Sequence, residues 1–374
     1  MSKYRLLERG DVAPWFNQRS SNSPDFSFNT IGGRYIVLCF FGSAADPEGR
    51  EMLSLLEEHR ALFDDQRITF FGVSGDPADE SEQRVRESIP GIRFFWDFDG
   101  KIGRLYGALP AEGAAGAAPR RMWVVISPSF RVLRVFHGPG DHAQRAEIAA
   151  CLESLPAVDQ LAGFRVDPPI IVLPDVFEPQ LCAYLIDLYE RNGGTESGVM
   201  REIDGRTVAV SDGRRKRRAD YQIEDEDLIA RLRARFVRRV VPEIMKVHQF
   251  AVSRMERYIV ACYDSSNGGH FTAHRDNTTK GTAHRRFACS INLNADFEGG
   301  EVSFPEYGQR SYKPPVGGAV VFSCSLLHAV SPVTAGRRFA FLPFLYDEAA
   351  ARVRDANLGY VGALPAEPAS AGGP

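Results

Sequence analysis

The chain has 374 residues, 44% of them apolar and 25% charged, the composition of a globular protein long enough for two ordinary domains. Its 45 basic and 48 acidic side chains leave a formal charge of -3, so no global basic field argues for nucleic acid as a partner. The opening MSKYRLLERGD lacks the apolar core of a signal peptide, and no uninterrupted apolar run reaches the roughly eighteen residues of a membrane span, so a cytoplasmic protein is expected.

Residues 35–41 (YIVLCFF) form a continuous apolar run that predicts a buried strand, and residues 48–63 place Met52, Leu55, Leu56 and Leu62 at helical spacing. A second buried strand is expected at 68–75 (ITFFGVSG), a polar helix at 80–89, a hairpin from 122–127 and 132–138, and a closing helix at 143–155. This β-α-β-α-β-β-α order is that of an α/β thioredoxin-like domain. GDVAPWF (10–16), VSGDP (73–77), WDFDGKIGRLYGA (96–108) and VVISPSFRVLRVF (124–136) resemble, in order and spacing, the landmarks of the peroxiredoxin/AhpC–TSA family across about residues 1–155.

That resemblance implies a thiolate at the start of the first helix, where the helix dipole and nearby cations lower a cysteine pKa. Here the segment reads GSAADPEGRE (42–51), so Ala45, Asp46, Pro47 and Glu48 stand where such proteins carry a peroxidatic cysteine or a C-x-x-C pair. No peroxidatic cysteine is identified, and Cys39 lies inside the strand. The domain reads as redox-inactive, a module for interaction, substrate presentation or homodimer formation. The competing reading is a thiol peroxidase that uses Cys39 or Cys151. The six cysteines, Cys39, Cys151, Cys182, Cys262, Cys289 and Cys324, form no C-x-x-C pair and suit a reducing compartment.

Residues 156–168 (PAVDQLAGFRVDP) have the turn residues of a linker. Beyond them a helix starts within 175–179, with Leu181, Leu185, Ile186 and Leu188 on its stripe. A second runs over 227–249 with Leu228, Leu232, Phe236, Val240 and Ile244. From Arg257 the texture changes to short strands: RYIVACY, GHFTAHRD, RRFACSINL, GEVSF, AVVFSC, LHAVSPV and RRFAFLPFLY, the spacing of a sandwich or jelly roll. The tail, 349–374, ends in GALPAEPASAGGP and is expected to be disordered.

Residues i and i+2 of a strand share a face, so His274 and Asp276 in HFTAHRDN should project together. A chain with eight histidines can carry H-x-D by chance, and context decides. Fifty-two residues after Asp276, His328 opens another strand, and ten residues later Arg338 begins the next. Two imidazoles and one carboxylate on a face leave three open positions, an arrangement suited to non-haem Fe(II).

NGGHFTAHRDN, INLNADFEGGEVSFPEYG and PPVGGAVVFSCSLLHAVSPVTAGRRFAFLPF resemble the prolyl 4-hydroxylase-like branch of the 2-oxoglutarate oxygenases over about residues 169–348. The resemblance implies an α+β double-stranded β-helix, or jelly roll, with supporting helices. It also implies a catalytic Fe(II) on His274, Asp276 and His328, 2-oxoglutarate and O2 as cosubstrates, and ascorbate as reductant. Arg338 would pair with the distal carboxylate of 2-oxoglutarate, a task for a planar guanidinium, while Arg337 faces the other way. Tyr263 would line the cosubstrate pocket. Asn292 stands where some relatives have a second tyrosine, and its amide offers a bond to the ketoacid. Related halogenases carry a small residue in place of Asp276, so hydroxylation is expected, of a prolyl or other amino-acid residue in a peptide, protein or small molecule. Three features stay outside this scheme. His270 reads as a rim or packing residue, His284 as solvated, and Arg214 to Arg218 as a solvated loop, with a substrate lid as the alternative.

Overall fold

The computed structural model describes residues 3–113 and 117–362. The chain divides into two compact units, the first running to Asp167 and including Pro305–Gln309, the second beginning at Pro168, so the stretch expected as a linker up to residue 167 belongs to the first unit.

The first unit runs β1 (Asn17–Ser20), β2 (Ser23–Ser27), β3 (Tyr35–Gly42), α1 (Pro47–Glu58), β4 (Ile68–Ser74), α2 (Pro77–Ser81), β5 (Ile92–Trp96), α3 (Lys101–Tyr106), β6 (Met122–Ile126), β7 (Val132–His137) and α4 (His142–Glu153). One sheet holds all seven strands in the order β2-β1-β5-β4-β3-β6-β7, with β3, β4 and β5 parallel. Both faces of β3 are covered, which is why its sequence is apolar without alternation. Tyr35, Val37, Cys39 and Phe41 join Met52 and Leu55 of α1 and Ile148 and Leu152 of α4. Ile36, Leu38 and Phe40 meet Phe16, Phe28, Ile102 and Tyr106 on the other side. Buried Arg145 of α4 ties the two helices together through Glu51 and Glu58 of α1, the latter at 2.6 Å. This is a thioredoxin fold, with two departures from expectation. The polar helix of 80–89 shrinks to Pro77–Ser81, because Gln83 takes a left-handed φ of 52° and Pro90 closes the segment. Strand β5 was not foreseen, since IRFFW has neither the length nor the flanking period that marks a strand on its own.

The second unit begins with β8 (Ile171–Leu173), α5 (Pro179–Asn192), β9 (Thr195–Glu196), β10 (Val199–Ile203), β11 (Arg206–Val210), β12 (Lys216–Arg217) and β13 (Ala219–Gln222). Next come α6 (Glu226–Arg239), α7 (Val241–His248), β14 (Arg254–Glu256), β15 (Ile259–Asp264), β16 (His270–His274), β17 (Phe287–Asn292), β18 (Phe297–Gly299), β19 (Val302–Ser303) and β20 (Ser311–Tyr312). The unit closes with β21 (Ala319–Ser323), β22 (His328–Val330), β23 (Val333–Phe341), β24 (Phe344–Tyr346) and α8 (Glu348–Asn357). The major sheet has the path β14-β24-β17-β23-β15-β13-β9, and the minor sheet the path β12-β16-β22-β19-β20. This is the jelly roll with supporting helices.

Strand parity divides the major sheet into a packing face and a working face. Val260 and Cys262, Cys289 and Ile291, and Phe339 and Phe341 pack against Leu185 of α5, Leu232 and Phe236 of α6 and Ile244 of α7. Their sequence neighbours Tyr263, Ser290, Asn292 and Arg338, all buried, point the other way.

The long helix expected at 227–249 is two helices, because Pro242 cannot donate into a continuing ladder and the chain breaks at Val240. Residues 195–222, read without strands, supply five short ones whose half-exposed, charge-rich sequence hides the period of two. The tail expected to be disordered from residue 349 is instead helical through Asn357. Asp347 caps it by accepting from the Ala350 N–H, Ala350 is buried, and Arg254 grips Glu348 at 2.7 Å. Residues 363–374, the remainder of that tail, lie outside the described residues. Among the described residues no helix is long and apolar enough to cross a membrane.

Candidate metal centre

His274 ends β16 and His328 begins β22, and the two are direct cross-strand partners, their rings 4.2 Å apart. Asp276 is not on the strand, as the i, i+2 argument supposed. It sits in the turn just beyond, held by its backbone N–H donating to the Cys324 carbonyl at 2.9 Å. The turn reaches the same result by a different route. Asp276 Oδ1 lies 3.5 Å from His274 Nε2 and Oδ2 lies 3.4 Å from His328 Nε2. One nitrogen or oxygen from each of the three falls within 4.8 Å of the others.

Each imidazole is pinned by its far side. Nδ1 of His274 bonds the Thr272 carbonyl at 2.8 Å, and Nδ1 of His328 bonds the Leu326 carbonyl at 3.0 Å. A carbonyl only accepts, so in the neutral ring the proton sits on Nδ1 and the Nε2 lone pair is free. Burial, aided by neighbouring His274, pushes His328 down to about 4 against the pull of Asp276, which keeps it neutral at ordinary pH. Burial by itself would raise Asp276, but the charge that His328 and His274 carry when protonated outweighs it and holds the carboxyl well below the usual range. Two imidazoles and a carboxylate are the donor set that fits a divalent iron.

The cavity beside the triad lies between the sheets. Phe271, Val302 and Val330 come from the minor sheet, Tyr263, Ser290 and Phe322 from the major side, and Leu342, Pro343 and Phe344 from the turn after β23. Phe271 stacks on His274 with ring centroids 3.5 Å apart and Phe322 sits 4.6 Å from His328, so the ligands themselves are walled by aromatic rings.

Arg338 lies in the interior of β23 rather than at its start, opposite Tyr263 of β15. It is 1% exposed and stands behind the Tyr263 and Ser290 wall. Its Nε donates to Asn292 Oδ1 at 3.0 Å and one terminal nitrogen to Ser290 Oγ at 2.8 Å. The other terminal nitrogen, Nη1, is buried with no hydrogen-bond partner among the described residues. A buried cationic donor left open is costly unless an anion completes it, and a carboxylate is the natural complement. Close approach matters here too. Gly300, at a φ of +63°, would with any side chain press on Arg338 Cδ at 3.0 Å.

Asn292 spends its amide on Arg338 and on the Pro314 carbonyl, the latter at 2.8 Å, so it orients the guanidinium and reaches no further. Tyr263, 1% exposed, lines the cavity and accepts from Arg218 at 3.3 Å. Arg337 faces outward to Glu190 at 2.6 Å. His270 is tied to the Gly268 and Arg214 carbonyls, away from the cavity, because the register slips between Phe271 and His274. His284 is not solvated. It is buried and bonds Glu256 at 2.9 Å, a partner too distant in sequence to be inferred.

The run from Arg214 to Arg218 is not a solvated loop throughout. The Arg214 side chain is 95% exposed, but Lys216 and Arg218 are buried. Lys216 and Arg217 pair with β16, and Ala219 pairs with β15, so the chain crosses from the minor to the major sheet at Arg218. Ser290 and Arg257 were missed as site residues, whereas Arg218 belongs to the basic run whose charge could attract phosphate or an acidic substrate. Ser290 had a signal, since it precedes Asn292 by two on one strand; Arg257 had none beyond its charge.

In the first unit, the start of α1 carries Pro47, Glu48 and Gly49, and a Cβ on Gly49 would meet the Ser43 carbonyl oxygen at 2.0 Å. Cys39 is fully buried in β3, and burial pushes its thiol up.

Residues 258–346 match the 2OG-Fe(II) oxygenase superfamily and residues 9–134 the AhpC/TSA family. A PKHD-type hydroxylase of Paracoccus denitrificans is 30% identical over 184 residues, 46% of this chain and 75% of that protein. Among solved structures, a prolyl hydroxylase from Trichoplax adhaerens, in complex with a hypoxia inducible factor peptide fragment, overlays at a TM-score of 0.39 with 18% identity. That overlay covers 58% of this chain and 96% of the other. Peroxidoxin BcpB from Mycobacterium tuberculosis overlays at 0.35 with 19% identity, over 41% of this chain and all of that one.

Proposed function

The chain belongs to the 2OG-Fe(II) oxygenase superfamily, among the PKHD-type hydroxylases, and on that premise we propose how this 2-oxoglutarate-dependent hydroxylase uses its own residues. His274, Asp276 and His328 hold Fe(II). The observation that carries this assignment is the pair of facing imidazoles, both fixed through Nδ1, with both Nε2 atoms turned to one carboxylate. With Fe(II) bound, 2-oxoglutarate and O2 supply the oxidant that converts a substrate C–H to C–OH, with succinate and CO2 as co-products.

The rest is positioning. Arg338 takes the distal carboxylate of 2-oxoglutarate on its open Nη1, while Asn292 and Ser290 keep its other nitrogens from turning away. Tyr263 forms the wall between that carboxylate and Arg218. Phe271, Phe322, Val302 and Val330 exclude water from the reacting centre. Asp276, as a third protein ligand, leaves the site suited to hydroxylation. Ascorbate serves as the reductant that returns oxidised iron to the ferrous state.

The substrate is a prolyl or other amino-acid residue, a reading supported by the similarity to a PKHD-type hydroxylase and by the apolar cavity wall. The first unit, with no cysteine at the start of α1, recruits the substrate or pairs two copies of the chain. Six cysteines, all free, suit the reducing cytoplasm. Anaerobic Fe(II) titration of the full chain, followed by succinate release from 2-oxoglutarate in air, tests the assignment. Both should be present and both lost in His274→Ala; retention of either in that variant would show that the iron lies elsewhere.

A further inference from the structure

The buried half of the Arg214 to Arg218 run does not merely pack. Arg218 and Arg257 both line the cavity that holds the triad, and Lys216 lies over Phe271, the ring stacked on His274. One carboxylate serves the two arginines. Asp220 accepts twice from Arg218, at 2.7 Å each, and once from Arg257 at 3.0 Å, which nearly fills its acceptor capacity. Lys216 finds only neutral oxygens, the Ser197 hydroxyl at 2.7 Å and the Gly198 carbonyl at 2.9 Å. Among the described residues Arg257 hydrogen-bonds only Asp220; its side chain, 29% exposed, is otherwise flanked by the Phe344 ring, 5.6 Å away. Burial, reinforced by Arg218, pushes Arg257 down to about 10, the mark of a cation short of counter-charge.

We propose that the substrate of this enzyme carries a carboxylate, which Arg257 and Arg218 grip in the cavity while the C–H to be hydroxylated lies toward the triad. The inference rests on the oxygenase reading above. It is separate from cosubstrate binding in the residues it uses, because Arg338 has its own open donor at Nη1. An internal prolyl residue flanked by neutral residues has no such group. A free amino acid offers its α-carboxylate, and a peptide offers an aspartyl or glutamyl side chain. The shared chemistry is a carboxylate a few bonds from the reacting carbon.

The test uses the full chain loaded anaerobically with Fe(II) and 2-oxoglutarate, so that the cosubstrate pocket is filled and nothing turns over. Calorimetric titration compares L-proline with L-prolinamide, and N-acetyl-aspartyl methylamide with its asparaginyl counterpart. At least one acid should bind about tenfold more tightly than its amide, and the pair that shows it identifies the source of the carboxylate. Arg257→Gln should erase that preference, and Arg257→Lys should restore part of it. Thermal unfolding of both variants separates lost binding from lost folding. Equal binding of acids and amides, or no acid bound at about 10 mM, overturns the proposal. So does a larger loss of 2-oxoglutarate affinity than of acid affinity in Arg257→Gln, which would make Arg257 a cosubstrate residue. Failure of 2-oxoglutarate itself to bind the iron-loaded wild-type chain overturns the oxygenase reading instead.

Discussion

The two units of this chain treat their polar groups in opposite ways at the place where each fold can do chemistry. At the start of α1 the charged and hydroxyl side chains are engaged with one another and with the backbone. Arg121 bonds Asp46 and Glu48, Asp79 accepts from Ala44 N–H and Ser74, and Ser43 donates to Asp76. Beside the jelly-roll cavity, buried capacity is left over: two Nε2 lone pairs and Nη1 of Arg338. Native proteins rarely leave buried polar groups unmatched, so the unmatched set marks where small ligands belong and the matched set marks a scaffold.

The sharpest way to break this comparison is to remove a ligand. Asp276→Ala leaves two imidazoles and should cost about a thousandfold in succinate release, about 4 kcal/mol of barrier, together with measurable loss of iron in anaerobic titration. Full activity in this variant would mean that the leftover capacity at the triad is structural. Next comes Arg338→Ala. Losing a buried charge-assisted pair is expected to raise the KM for 2-oxoglutarate about a hundredfold. Asn292→Ala, which frees the guanidinium to turn, should raise it about tenfold. A change in kcat with KM unmoved would place Arg338 outside the cosubstrate site.

How much of this was legible beforehand depends on how local each signal is. The H-x-D motif and the histidine that opens a later strand are local signals, so the triad is found although Asp276 lies in a turn and not at the strand position that parity assumes. The buried β3, β4 and β6 announce themselves because both of their faces are covered. The partners of Arg338 depend on register between β17, β23 and β15, which no single strand encodes. The same holds for the basic run. Five cations in a row look solvated, and only the crossing between sheets at Arg218 shows that Lys216 and Arg218 turn inward. Composition misled at the C-terminus, where the Gly, Pro and Ala of the last residues masked the capped helix at Glu348–Asn357.

A smaller effect separates the units by pH. Burial pushes Lys216 down to about 6, whereas an unfolded lysine titrates near 10.5. Between these values the unfolded chain binds the extra proton, so the second unit should gain stability as pH rises from about 6 toward 10.5. Below about 6 lysine is charged in both states and the cost is fully present. All three tryptophans, Trp15, Trp96 and Trp123, fall in the first unit, so their fluorescence follows that unit while loss of iron binding follows the other. Lys216→Met should flatten the pH dependence of the second transition alone and raise its midpoint at pH 6 by about 3 °C. Equal slopes in wild type and variant would show that Lys216 keeps its charge through other partners.

The smallest expected effect falls on the cysteines, and it decides whether the first unit is only a scaffold. Cys39 is walled in by β4 and β6, and its raised pKa leaves no thiolate for peroxide to meet. Cys151 lies on α4 and not at the start of α1, and it has no second cysteine beside it in sequence. The double variant Cys39→Ala with Cys151→Ser should therefore change succinate release by less than about twofold and lose about 1 kcal/mol of stability in the tryptophan-monitored transition, the cost of trimming a buried sulfur. Peroxide consumption should be at background in both proteins. If the wild type instead consumes peroxide with a thiol reductant and the double variant does not, the first unit has a reaction of its own. The closed hydrogen-bond set around Ala44 and Asp79 would then be a resting arrangement that opens, and matched polar groups would no longer distinguish a scaffold from a site.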